Sequence, residues 1–109
     1  NANSTRNSGS CGSSRRPVIT HHASTVLALQ GTTVILPCVA TGKPRPYITW
    51  QTSEGALITN HLSNPRYKVL ATGDLLIDGL EWTDMNGYNC IARSNLGEDR
   101  VSTFIYPVK

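Results

Sequence analysis

A chain of 109 residues, 39% hydrophobic and 16% charged, has the size and balance of one folded domain. Its formal net charge is +3, but Arg6, Arg15 and Arg16 supply the excess. From Pro17 onward seven basic residues face seven acidic ones, so the folded part carries no basic field for nucleic acid. No run of 18 apolar residues is present to span a bilayer, and no signal peptide is visible; a start at Asn1 reads as a processed product or a fragment of something longer.

Residues 1–16 are mostly Ser, Asn, Gly and Arg, too polar to repay the entropy of ordering. They are expected to form a flexible linker, with a domain over 17–109. Within the linker, Asn3-Ser4-Thr5 is an acceptor sequon for N-glycosylation, used or unused. Cys11 is the odd one of three cysteines. It points either to a bridge with another chain or domain, or to a free thiol. Arg15-Arg16 reads as a solvated basic pair or as a processing site.

Two extended stretches, 17–22 and 25–30, read as a split first strand. Residues 32–40 alternate, and Val34, Leu36, Cys38 and Ala40 share a face because side chains repeat with period two. Pro44 and Pro46 stiffen the turn before a strand whose Ile48 and Trp50 face inward. Residues 66–70 suit another strand, and Leu75 and Ile77 the core face of the next. Tyr88, Cys90 and Ala92 face inward from the strand after that. Beyond a turn at 95–97, Val101, Thr103 and Ile105 do the same. Gly73-Asp74 and Asn95 to Gly97 supply turn chemistry. Nothing combines helical periodicity with caps.

The spacing of Cys38, Trp50, Tyr88 and Cys90, with Ala40-x-Gly42-x-Pro44-x-Pro46-x-Ile48-x-Trp50, Leu75-x-Ile77 and Asp84-x-x-x-Tyr88-x-Cys90, resembles the intermediate-set immunoglobulin domain. That resemblance implies an all-β, two-sheet Greek-key sandwich with one disulfide, Cys38 to Cys90, joining its B and F strands. Trp50 would pack on the bridge and Tyr88 would tie down the corner before the F strand. It also implies a salt bridge between Arg66 and Asp84. The disulfide would close a loop of about 53 residues and contribute about 4 kcal/mol in the chain-entropy model, and it implies an oxidising, extracellular compartment. The family pattern usually has Gly two residues before the corner tyrosine, where this chain has Asn86, so the local path there is open.

A narrower resemblance rests on the sequences VLATGDLLI (69–77), Trp82-x-Asp84-Met85, CIAR (90–93) and Phe104-x-Tyr106-Pro107-Val108. They are similar to the C-terminal domain of the insect neural/ectodermal development factors, secreted proteins of two immunoglobulin domains whose family binds insulin-like peptides. The resemblance implies a non-enzymatic binding module that sequesters insulin-like peptides, alongside other immunoglobulin domains in the full-length chain. An adhesion or receptor-ectodomain module making protein–protein contacts is the alternative.

Catalysis finds little support. There is no nucleophile elbow and no acid/base pair of carboxylates, and Glu98 and Asp99 read as solvated turn residues. His21 and His22 are adjacent on a strand, so they point to opposite faces and are poorly placed to share a metal. With two of three cysteines in the disulfide, no cofactor or metal is expected. Function is expected on the outer faces. Tyr47, Ile91, Phe104 and Tyr106 should lie together on one sheet as a candidate binding face, and Ile35, Val39 and Leu76 should project from the other. Packing of a neighbouring domain, or a slipped register, would instead cover them. Trp82 either caps the core edge or joins a binding surface.

Overall fold

The structure, a computed structural model, describes residues 13–58 and 65–109. Asn3 and Cys11 lie outside the described residues. Among the described residues ten strands follow in chain order: β1 Arg15–His22, β2 Thr25–Leu29, β3 Val34–Leu36, β4 Cys38–Lys43, β5 Tyr47–Thr52, β6 Leu57–Ile58, β7 Tyr67–Val69, β8 Leu75–Ile77, β9 Asn86–Ser94 and β10 Gly97–Val108. One 3-10 turn, Trp82–Asp84, precedes β9. One layer is a five-stranded sheet in the order β2-β10-β9-β5-β6. The opposing layer is built from β3-β8-β7 and β1-β4. This is an immunoglobulin-like sandwich, all-β in architecture.

The inward residues are those that alternation selects. Val34, Leu36, Trp50, Leu75, Ile77, Tyr88, Ala92 and Ile105 form the buried core around Cys38 and Cys90, which are disulfide-bonded, and Ala40, Ile48 and Val101 pack against it. β1 begins at Arg15, two residues before the expected start.

The expected strand over 32–40 is in fact two. β3 pairs with β8, and β4 pairs with β1. Pro37 lies between them and has no N–H to continue a ladder. Across the break the Cys38 N–H donates to Asp74 Oδ1 at 2.8 Å. The β7–β8 turn that supplies Asp74 also fixes the core tryptophan, since the Trp50 indole N–H donates to the Gly73 carbonyl at 2.8 Å. Gly73 has φ +98°, and a Cβ there would stand 3.0 Å from both the Cys38 carbonyl oxygen and Ile48 Cγ1. Only glycine meets both demands.

Candidate functional site

Among the described residues a polar cluster is built around Asp84, which is only 2% exposed. Arg66 donates to it through Nη1 at 2.9 Å and Nη2 at 3.0 Å. The Tyr67 hydroxyl donates to Oδ1, and the Glu81 N–H donates to Oδ2 at 2.8 Å. The Tyr88 hydroxyl donates to the Asp84 carbonyl at 2.7 Å, closing the corner. Burial pushes the Asp84 carboxyl up, but the donors from Arg66, Tyr67 and Glu81 outweigh it and hold the carboxyl below its ordinary value. Burial, joined by its partners, pushes the Tyr67 hydroxyl far above the usual phenol range, and burial raises Tyr88 as well. Tyr67, whose ring stands edge-on to Tyr88 at 6.3 Å, has no signal of its own in the sequence beyond a place on a short strand. These hydrogen bonds hold the corner before β9 together.

Asn86 is the first residue of β9, paired with Ile105. Its Oδ1 accepts from the Gly87 N–H at 2.8 Å and from Ser53 Oγ at 2.6 Å, and its Nδ2 donates to Glu54 at 3.2 Å. The residue that departs from the family pattern therefore ties the corner to the turn after β5.

The candidate face is not one surface. Tyr47, 73% exposed, sits opposite Arg93 at one end of β9, whereas Phe104 sits opposite Gly87 at the other. At ~3.4 Å per residue, these positions are about 20 Å apart. Ile91, between them, is 0% exposed and takes no part in an exposed face. Alternation does turn it outward, but it lies on the central strand. Thr49 and Arg100 stand directly across from it and Arg93 two residues along, and long basic stems cover apolar surface while their heads reach water. Those heads meet Glu98, with Arg93 at 3.1 Å and Arg100 at 3.1 Å. Hydrogen bonds from Arg100 and Arg93 hold the Glu98 carboxyl below its ordinary value. Glu98 is thus paired, and Asp99 accepts the Ile19 N–H at 2.8 Å, so neither is merely a solvated turn residue. Next along the sheet comes a polar pair, Ser102 Oγ donating to Asn89 Oδ1 at 2.5 Å.

Beyond that pair the surface becomes apolar. Phe104 and Tyr106 are exposed on β10, and β2 runs parallel beside them with Tyr106 opposite Leu27 and Val108 opposite Leu29. Leu27 is 70% exposed and Leu29 is exposed as well. Trp82, 50% exposed, stands edge-on to Tyr106 with ring centroids 6.0 Å apart. Trp82 therefore joins this surface. Leu27, Leu29, Phe104, Tyr106 and Trp82 make an apolar end that strand alternation alone did not assemble, because the partner of a parallel edge strand is not legible from local pattern. At the other end of the sheet Tyr47 lines a cavity of about 670 Å³ with Arg45, Val39, Ile48 and Leu70. On the opposing layer Ile35 and Val39 are exposed, as expected, while Leu76 is half-buried. His21 and His22 are exposed, and no group of metal-ligating side chains occurs among the described residues.

A family model described as an immunoglobulin domain matches residues 16–94. The chain belongs to the immunoglobulin-domain family. Among its relatives, neural/ectodermal development factor IMP-L2 of Drosophila melanogaster is 43% identical over 94 residues, spanning 86% of this chain and 34% of that protein. The crystal structure of that factor superposes with a TM-score of 0.83 at 38% identity, covering 97% of this chain and 50% of the solved one. The N-terminal Ig1-2 module of the Drosophila receptor protein tyrosine phosphatase DLAR superposes with a TM-score of 0.78 at 31% identity, over 97% of this chain and 53% of that module. This immunoglobulin domain thus spans about a third of the curated relative and half of each solved neighbour. No helix among its described residues is long and apolar enough to cross a membrane.

Proposed function

We propose that this immunoglobulin domain is a non-enzymatic, secreted binding module that sequesters insulin-like peptides. The observation that carries the reading is the apolar end of the five-stranded sheet, where Leu27, Leu29, Phe104, Tyr106 and Trp82 stand exposed side by side. Aromatic side chains flanked by polar groups are the composition of a protein contact centre. Here the flank is the Ser102–Asn89 pair and the Arg93–Glu98–Arg100 cluster. The similarity to the neural/ectodermal development factor supports a peptide hormone as the occupant. The mechanism is occlusion: the sheet end covers apolar hormone surface that a receptor needs, and no bond is made or broken. The Cys38–Cys90 bridge supports an oxidising compartment, and the polar sequence ahead of β1, with Asn3 as a glycan acceptor, fits a linker between tandem domains. Isothermal titration of the intact secreted protein with an insulin-like peptide tests the reading. Saturable binding that Phe104→Ala and Tyr106→Ala weaken supports it, and absence of binding with correct disulfides overturns it.

A receptor-ectodomain or adhesion module is the second reading, favoured by the likeness to the DLAR Ig1-2 module. It requires further domains and a membrane anchor in the full-length protein, so the complete reading frame separates the two.

A further inference from the structure

We propose that the free edge of β2 pairs with the β2 edge of a second copy of this chain, antiparallel and about a two-fold axis. Phe104 N–H donates to the Ser24 carbonyl at 2.9 Å and Gln30 N–H to the Val108 carbonyl at 2.8 Å. In a parallel ladder the bonding residues alternate, so Val26 and Ala28 also turn their backbone groups toward β10. Thr25, Leu27 and Leu29 turn theirs away, to an edge of the sheet with which no other described strand pairs. The Leu29 carbonyl is taken by Thr32, at 2.6 Å from its hydroxyl. The Thr25 and Leu27 N–H and carbonyl groups and the Leu29 N–H stay at the edge.

Exposed edges are usually blunted by charge, proline, bulges or brevity, and the other described strands show these devices. β6 has two residues and β7 three, with Lys68 in the middle. β1 has two register shifts, and Pro37 separates β3 from β4. β2 has none of them. Its pairing with β10 is unbroken over five residues. No charged residue occurs anywhere from 23 to 42, so nothing repels an identical strand. The exposed leucines lie at alternate positions, which makes the strand self-complementary. With Leu27 on the two-fold axis, Leu27 faces Leu27 of the other copy as an exchanged hydrogen-bond pair, and Thr25 faces Leu29, whose N–H donates to the Thr25 carbonyl. Such a closed, isologous contact stops at the dimer. Both outer faces then lie on the same side of one continuous sheet, and the two apolar ends meet across the axis. This inference does not depend on which ligand the surface takes.

Sedimentation equilibrium of the full chain tests it, with Cys11→Ser throughout to remove disulfide-linked dimers. The expected mass rises with concentration from 11.8 kDa toward twice that value, and exchange of the Leu27 amide slows in step. Leu27→Pro removes a donor that β10 does not use. It should weaken dimerisation by roughly tenfold or more, as loss of the central exchanged pair predicts, and leave the unfolding midpoint in place when both proteins are compared at concentrations where the parent is monomeric. Ala28→Pro removes a donor that β10 does use and should lower that midpoint. A monomer at every concentration, or a Leu27→Pro protein that dimerises as tightly as its parent, overturns the proposal.

Discussion

Replacing Asp84 measures how far one buried carboxylate holds the corner of the sandwich. Asp84→Ala strands the Arg66 guanidinium, the Tyr67 hydroxyl and the Glu81 N–H together. Breaking a buried pair from one side costs about 3–5 kcal/mol. Arg66 is 27% exposed and keeps the Gly79 carbonyl at 3.1 Å, so the lower end, about 3 kcal/mol, applies. For a domain of this size that lowers the midpoint by roughly 12–24 °C. Asp84→Asn keeps the shape and one acceptor, and should cost about 2 kcal/mol. The loss should also depend on pH in a set direction. The folded carboxyl titrates below its unfolded value of about 3.9, so its contribution is complete above about pH 5 and is lost as pH falls through the folded value. Thermal unfolding of wild type and Asp84→Asn from pH 7 to pH 2 should therefore show a gap that is constant above about pH 5 and narrows in acid. A penalty below about 1 kcal/mol, or a gap unchanged at low pH, would refute this account of the cluster.

Ile91→Ala should destabilise by about 2–4 kcal/mol because the side chain is fully buried, while Tyr47→Ala should fall within about 0.5 kcal/mol of wild type; urea unfolding of both decides whether Ile91 belongs to a packed region. Gly73→Ala adds a Cβ against the Cys38 carbonyl at a positive φ, and a loss of about 1–3 kcal/mol with altered Trp50 fluorescence is expected in the same assay. In alkali the raised Tyr67 and Tyr88 contribute stability that is complete below the unfolded tyrosine value of about 10 and declines above it. Part of the 295 nm absorbance change should therefore lag and appear only as the near-ultraviolet dichroism is lost.

Cys38, Trp50, Tyr88 and Cys90, with period-two alternation around them, were enough to specify the fold class, the inward register and most core residues. These depend on local spacing and on one covalent bridge, both of which the chain carries in linear form. Arg66 with Asp84 was legible only through family resemblance, since no local rule brings residues 18 apart in sequence within 2.9 Å. What tertiary structure alone decided is how the outer surface divides. Alternation says which way a side chain points, not what stands beside it. It turned Ile91 outward correctly, yet neighbours on a central strand cover it. It could not tell that β2 would lie parallel against the end of β10, setting Leu27 beside Tyr106, or that a 3-10 turn would deliver Trp82 to the same place. Burial and partnership are properties of strands distant in sequence, so the contact surface emerges only when the sheets have closed.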